Sequence, residues 1–164
     1  MSGLRGEFVA GTRAAARNLE GTARPDVTDV SLLVANVLAG LETHREMPAD
    51  LVDLMRKCMG VLVRGCPRGE AAEKIALLAL HDGDVGRAEV WALFALSTAA
   101  NDIVEGDALL TLARVRSVQD RADEAREVLE RARRIHPRCP RWTAVLAAVA
   151  AGQLSPGPAT SESA

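Results

Sequence analysis

In this chain of 164 residues, the segment that is most informative about the fold is DALLTLARVRSVQDRADEAREVLERARRIHP, residues 107–137. Its apolar residues recur with the spacing of two helices separated by a short polar turn, and a proline follows the second. Small residues at Ala113, Ala125 and Ala132 allow two helices to cross closely, while a large residue such as Leu129 fills the groove beside the crossing. This segment therefore predicts a closely packed helical hairpin.

The composition favours helices throughout the chain. Hydrophobic residues make up 48% of it, but aromatic residues only 2%, so Ala, Leu and Val supply most of the apolar surface. Ala and Leu have high helix propensity, whereas strands favour aromatic and β-branched residues. The formal net charge of -2 gives no overall positive field for a phosphate backbone, so we expect no nucleic-acid partner.

Prolines, glycines and polar turns divide the chain into three parts. We expect a flexible N-terminal segment over 1–25, a helical domain over 26–152 and a disordered tail over 153–164. Within the domain, Asp84 and Asp120 are predicted to cap the helices that follow them. The seven predicted helices cover about 26–43, 48–65, 70–81 and 84–101, then begin near 107, after 120, and at 140 with an end at 152.

The N-terminal segment has an amphipathic pattern of its own. Leu4, Phe8, Ala15 and Leu19 would share one face of a helix, so the segment could fold against a partner or a second copy of the chain, giving a homodimer. Three glycines weaken that helix, and disorder until binding is the open alternative.

Comparison of the chain with itself shows the hairpin pattern again, less exactly, over 70–102. The small positions there are Ala76, Ala88 and Ala95. Ala92 stands where a large residue is expected, and Trp91 and Phe94 are predicted to supply the missing bulk. The first two predicted helices could form a third, degenerate pair, with Leu38 and Ala39 at the large and small positions. Such pairs bury their faces only by stacking, so we expect three pairs and a capping helix.

Residues 107–137 resemble a tetratricopeptide repeat. The residues at the positions that carry the motif are Leu109, Leu112, Ala113, Ala125, Leu129, Ala132 and Pro137. Arg116 departs from the family, which usually has an aromatic residue there. The resemblance implies an all-α solenoid of about three antiparallel helix pairs with a C-terminal capping helix.

The resemblance also implies a peptide-binding groove on the concave face, lined by the first helix of each pair. By motif position its lining residues are Leu33, Asn36, Thr43, His44, Glu73, Leu77, His81, Leu110, Arg114 and Ser117. The carboxylate clamp of chaperone-binding family members has only two counterparts, Asn36 and Arg114, so binding of heat-shock protein tails is not expected.

A narrower likeness covers residues 101–132, NDIVEGDALLTLARVRSVQDRADEAREVLERA. This stretch is similar to the last repeat of the chaperones that hold translocator proteins in bacterial type III secretion. The likeness covers about a fifth of the chain, and most of the matching residues are generic to the repeat.

The residues show no pattern typical of an enzyme. His44, His81 and His136 are scattered, and we predict neither a metal site nor a cofactor. The cysteines Cys58, Cys66 and Cys139 form no CxxC motif, and we expect them to be reduced and buried.

The sequence shows no export signal, and its most apolar stretch, residues 144–151, is too short to span a bilayer. We therefore expect a cytoplasmic protein without stable membrane insertion. Two classes of function remain. The first is a non-enzymatic scaffold or chaperone that binds a peptide or protein. The second is a structural subunit or homodimerising component of an obligate bacterial complex.

Overall fold

The computed structural model describes residues 2–19, 27–44, 47–64 and 68–154, and these residues form helices without any strand. The eight helices of this described part are α1 Ser2–Leu19, α2 Val27–His44, α3 Ala49–Arg64, α4 Glu70–His81, α5 Val85–Ser97, α6 Asp102–Val118, α7 Ala122–Ile135 and α8 Trp142–Leu154. The chain divides into two compact units, unit 1 (Met1–Pro67) and unit 2 (Arg68–Ala164). The all-α class is confirmed.

The N-terminal segment differs from the expectation, because residues 2–19 of the segment predicted to be flexible form α1. This helix packs against α2 and α3 within unit 1, and Thr12, Ala16 and Leu19 are buried there. The side chains of Leu4 and Phe8 lie outside the described part of the chain, as does the tail from residue 155 onward. Homodimer formation through this segment stays a prediction.

Unit 1 contains the pair that was predicted to be degenerate. α2 packs against α3, and their inward faces carry Leu38 and Cys58, both buried as expected. Ala39, placed by the prediction at the small crossing position, is exposed, while Gly40 beside it is buried. The register of the predicted repeat is therefore wrong by one residue at this point of α2.

Unit 2 consists of two helix pairs and a final helix, as the repeat pattern predicts. α4 packs against α5, α6 packs against α7, and α8 packs against α6. The small residues at the predicted crossings have no exposed surface, namely Ala76, Ala88, Ala95, Ala113, Ala125 and Ala132. Small side chains at these positions allow the two helices of a pair to pack closely.

Trp91 supplies the bulk missing at Ala92, as predicted. Its ring packs against two clusters of buried residues, one around Ala95 and one around Ala92. Phe94 meets Trp91 edge to face, with ring centroids 5.9 Å apart, but remains largely exposed. The prediction for Phe94 therefore holds only in part.

The turn between α4 and α5 forms as the sequence indicates. Gly83 has a φ of 80°, a left-handed conformation that glycine adopts without steric cost. Asp84 caps α5, because its Oδ1 accepts a hydrogen bond from the backbone N of Arg87 at 3.2 Å.

The predicted cap at Asp120 is wrong. Asp120 has a φ of 60° and ends α6, and Arg121 holds the N-cap position of α7. The backbone N of Arg121 donates to the carbonyl O of Arg116 at 2.9 Å, which satisfies a helix-end carbonyl. A left-handed residue after a helix closes that helix instead of opening the next one.

The start of α6 also differs from the prediction. Asn101 was placed near the end of the fourth helix, but its Oδ1 accepts from the backbone N of Val104 at 3.0 Å and caps α6. α5 ends earlier, where Thr98 Oγ1 donates to the carbonyl O of Phe94 at 2.8 Å. α6 therefore begins at Asp102, five residues before the predicted start at Asp107.

Arg116, at the position where the repeat usually has an aromatic residue, is the centre of an ion-pair network. Arg116 of α6 pairs with Glu89 of α5 and donates to Gln119 Oε1 at 2.9 Å. Glu124 of α7 lies 3.4 Å from the Arg116 guanidinium. Hydrogen bonds from Gln119 and Arg116 hold the pKa of the Glu89 carboxyl below its usual value. Arg116 thus links α5, α6 and α7 by charge instead of by ring packing.

We predict that Ala125→Arg lowers the free energy of unfolding by more than about 3 kcal/mol, because the new charge replaces a methyl group with no exposed surface. Urea denaturation of the variant checks this. Ala147→Arg on the exposed side of α8 is the matched control and should change stability by less than about 0.5 kcal/mol. Equal stability of both variants would contradict the crossing at Ala125.

Candidate protein-interaction surface

The residues predicted to line a groove are placed very differently from one another. The apolar members, Leu33, Leu77 and Leu110, are buried within their own units. These leucines are therefore core residues of the folded chain, and the expectation that they form an exposed apolar lining is corrected. Substituting them would test folding before it tested binding.

Helix α8 explains the burial of Leu110. Val145 and Val149 of α8 lie in the same buried cluster as Leu110. Ser117, another predicted lining residue, is buried, and its Oγ donates to the carbonyl O of Val149 at 3.1 Å. The final helix thus covers the part of α6 that the repeat pattern assigned to a ligand.

The polar members of the predicted set are more accessible, apart from Glu73 and Ser117. Thr43 and His81 are exposed, and Asn36 and Arg114 are half-buried. The side chain of His44 lies outside the described part of the chain. In unit 2 the accessible part of the predicted groove is therefore polar.

Glu73 is the centre of a buried polar network, with a side chain 1% exposed. Its Oε1 accepts from Thr111 Oγ1 of α6 at 2.7 Å and from Arg141 Nη1 at 3.0 Å. Arg141 lies just before α8, and its Nη2 donates to Thr111 Oγ1 at 3.0 Å. The network joins α4, α6 and the start of α8.

The electrostatic balance of this network keeps Glu73 ionised. Burial acts to raise the pKa of the Glu73 carboxyl, but the charges of Lys74 and Arg141 outweigh that effect and lower it. Lys74 Nζ lies 2.9 Å from Glu73 Oε2. Burial acts to lower the pKa of Lys74, and the neighbouring Glu73 raises it more strongly. Both partners are therefore charged at neutral pH.

Arg141 also reaches a second carboxylate group. Its Nη1 donates to the backbone O of Asp107 at 3.0 Å and lies 3.7 Å from Asp107 Oδ1. Asp107 Oδ1 accepts a hydrogen bond from Cys139 Sγ at 3.3 Å. Burial raises the pKa of the Cys139 thiol to about 11, so it is not a thiolate nucleophile at neutral pH in this environment.

A cavity of about 260 Å³ lies beside this network, at the N-terminal ends of α4 and α6. Its lining residues are Glu70, Glu73, Asn101, Ile103, Val104 and Asp107. Three carboxylates and two aliphatic side chains thus face one space, and Ile103 is 59% exposed. This combination suits a basic side chain, whose aliphatic stem contacts apolar surface while its charged end meets carboxylates.

Of the residues that line this cavity, the sequence predicted only Glu73. Glu70 and Asp107 occupy earlier turns on the same helices as the predicted lining, so helical spacing could have added them. Ile103 and Asn101 were missed because α6 was expected to begin later.

Unit 1 has a larger cavity of about 680 Å³ between α1 and α3. Its walls include Arg17, Asp53 and Lys57, and Arg13 bonds to Asp50 through two hydrogen bonds of 2.6 and 3.2 Å. The mixed charges of this cavity indicate no particular ligand, and none of the predicted groove residues lines it.

Comparison with known proteins supports the repeat. Residues 79–149 match the family model described as tetratricopeptide repeat, which confirms the predicted resemblance. The match runs from the end of α4 into α8 and includes the hairpin of α6 and α7. No curated protein and no solved structure was found to match. Among the described residues, every helix is too short or too polar to cross a membrane.

We predict that Arg141→Met lowers the free energy of unfolding at pH 7 by about 1.5–3 kcal/mol, because the buried Glu73 loses a charged donor that lies just before α8 and keeps only Lys74 and Thr111. Urea denaturation measures the loss. Arg138→Met, at an exposed arginine of the same connection, should cost less than about 0.5 kcal/mol.

The pH dependence of stability follows from the lowered pKa of Glu73. The stabilisation is fully present above the ordinary glutamate pKa of about 4.3 and is lost as pH falls through the lower pKa of the folded state. In Arg141→Met the carboxyl protonates at a higher pH, so acid unfolding should begin at a higher pH than in the wild type. Identical acid transitions would contradict the ion pair.

Proposed function

We propose that unit 2 is a non-enzymatic scaffold that binds another protein. The proposal starts from the match of residues 79–149 to the tetratricopeptide repeat family model. Tetratricopeptide repeats are a protein-interaction fold. The chain would act as an adaptor or chaperone, and the proposed ligand is a peptide segment of its partner protein, bound along the accessible face of α4 and α6.

The cavity at the start of α4 and α6 is the observation that carries this proposal. Of its three carboxylates, Glu73 and Asp107 already contact Arg141, and the exposed Glu70 favours a lysine or arginine of the bound segment. Ile103 gives the segment exposed apolar surface beside those charges. Hydrogen bonds to charged groups contribute about 1.5–3 kcal/mol, so one such anchor changes affinity more than tenfold.

The chain already holds a guanidinium on this face. Arg141 lies between Glu73 Oε1, Thr111 Oγ1 and the backbone O of Asp107, each 3.0 Å from one of its nitrogens. This internal arginine supports the proposal that a second basic group binds at the neighbouring carboxylate, Glu70, which is exposed.

The other predicted groove residues extend the proposal along the helices. His81 and Arg114 are accessible polar groups toward the C-terminal ends of α4 and α6 and would contact a longer ligand. The contributions of Asn36, Thr43 and His44 in unit 1 stay predictions. A role in type III secretion and a cytoplasmic location also stay predictions, the former from the resemblance of residues 101–132 alone.

We predict that Glu70→Lys weakens binding of a basic peptide at least tenfold, because it reverses the charge on the cavity wall. An array of short peptides rich in lysine, arginine, aspartate or glutamate identifies the ligand, and fluorescence anisotropy with the best peptide measures Kd. Asp123→Lys is the matched control. Asp123 is an exposed carboxylate in the first turn of α7, outside this cavity, and its change should alter Kd less than twofold.

Three outcomes would contradict this proposal. The array could yield no peptide that binds, its ligands could be acidic, or both lysine variants could weaken binding equally. The first outcome would contradict the peptide-binding function itself. Either of the other two would show that the binding site is not this cavity.

A structural subunit is the second candidate, favoured by an apolar face on α5. Leu93 and Phe94 follow Val90 by three and four positions, and the three side chains are 43%, 40% and 65% exposed respectively. Contiguous apolar surface of this kind is typical of protein interfaces. The occupant would be another subunit or a second copy of the chain.

This second candidate predicts that the purified chain forms a dimer whose mass falls to that of the monomer in Leu93→Glu. Light scattering after gel filtration measures the mass. Leu146→Glu, at an exposed leucine of α8, is the control and should leave the dimer intact. A monomeric wild type at every concentration would contradict self-association through α5.

A further inference from the structure

Three potential metal ligands meet at the junction of α6, α7 and α8. Asp107 lies on α6, His136 follows α7 and Cys139 precedes α8. One carboxylate oxygen, one imidazole nitrogen and the thiol sulfur all lie within 4.8 Å of one another. Neither the repeat nor the proposed peptide site accounts for this grouping.

The histidine provides a second, independent observation. His136 Nδ1 is buried and has no hydrogen-bond partner among the described residues. Buried polar atoms are nearly always paired, so an unpaired imidazole nitrogen points to a missing ligand. One imidazole nitrogen, the thiol and the carboxylate can together supply three ligands of a metal ion.

The local backbone holds the imidazole in this place. A Cβ atom on Gly106 of α6 would lie 2.6 Å from the Cβ of His136, so only glycine permits this approach. The backbone N of Cys139 donates to the carbonyl O of His136 at 3.3 Å, and Trp142 Nε1 donates to the same oxygen at 3.0 Å. His136 and Cys139 are therefore fixed in one tight turn against α6.

We propose that Asp107, His136 and Cys139 bind one Zn²⁺ ion, with the fourth tetrahedral position open to water or to a group of a partner. Zinc takes thiolate, imidazole and carboxylate ligands in this geometry. Asp107 also lines the acidic cavity, which gives a cation a route from solvent.

The charges around the site are compatible with a divalent cation. On binding, the Cys139 S–H bond breaks, its proton passes to solvent, and the sulfur bonds to zinc in place of its hydrogen bond to Asp107 Oδ1. Thiolate and carboxylate together balance the two positive charges of the ion. Arg141, 3.7 Å from Asp107 Oδ1, is the neighbouring cation, and it shares the Glu73 carboxylate with Lys74.

Zinc titration of the tag-free full chain, first stripped with a chelator, tests the site. We expect about one bound Zn²⁺ per chain after dialysis, measured by elemental analysis, and an increase in Tm. Co²⁺ in place of Zn²⁺ should give the charge-transfer absorption of a cobalt–thiolate bond. His136→Asn and Cys139→Ser should each weaken zinc binding at least tenfold.

Matched controls exist for both variants. Cys58→Ser changes the other cysteine that the structure describes as buried, and His81→Ala changes an exposed histidine. Both should bind zinc as the wild type does.

Each contrary result would overturn the site. These results are a wild type that retains no zinc, a cobalt complex without thiolate absorption, and a folded His136→Asn that binds zinc as tightly as His81→Ala. The cobalt spectrum of a Cys58→Ser, Cys66→Ser double variant, whose one remaining thiol is Cys139, decides the question even where Cys139→Ser fails to fold.

Discussion

The structure of unit 2 depends on close helix crossings at alanine. Ala76, Ala88, Ala113, Ala125 and Ala132 have no exposed surface, and they lie on the helices that pack together within each pair. A close crossing leaves little room for large side chains. The remaining apolar surface of the first helix of a pair therefore has to be covered by another part of the chain. Helix α8 provides that cover by packing on α6. The crossings thereby determine which part of the repeat remains available for a ligand.

The sequence predicted the helices and the crossings because both depend on local spacing. Alternation of small and large residues every three or four positions needs no knowledge of distant parts of the chain. The helix starts were harder, since Asn101 and Asp107 are both good capping residues and only tertiary packing decides between them. The sequence left the N-terminal segment open between a helix and disorder because glycines lower helix propensity, whereas packing on α2 and α3 offsets that cost.

The candidate site was predictable only in part, because its key contacts join residues far apart in sequence. Glu73 and Arg141 are separated by 68 positions, and no spacing rule links them. The motif placed Glu73 on the correct face, but it could not show that Arg141 already occupies that face. Leu110 failed as an exposed lining residue for the same reason, since Val145 and Val149 cover it from the end of the chain.

The positions of the two tryptophans allow the unfolding of the two units to be followed separately by spectroscopy. Trp91 and Trp142 both lie in unit 2, and the chain has no tyrosine. Intrinsic tryptophan emission therefore reports on unit 2 alone, whereas circular dichroism reports on the helices of both units. Comparing the two signals during denaturation shows whether unit 1 and unit 2 melt as one cooperative body or separately.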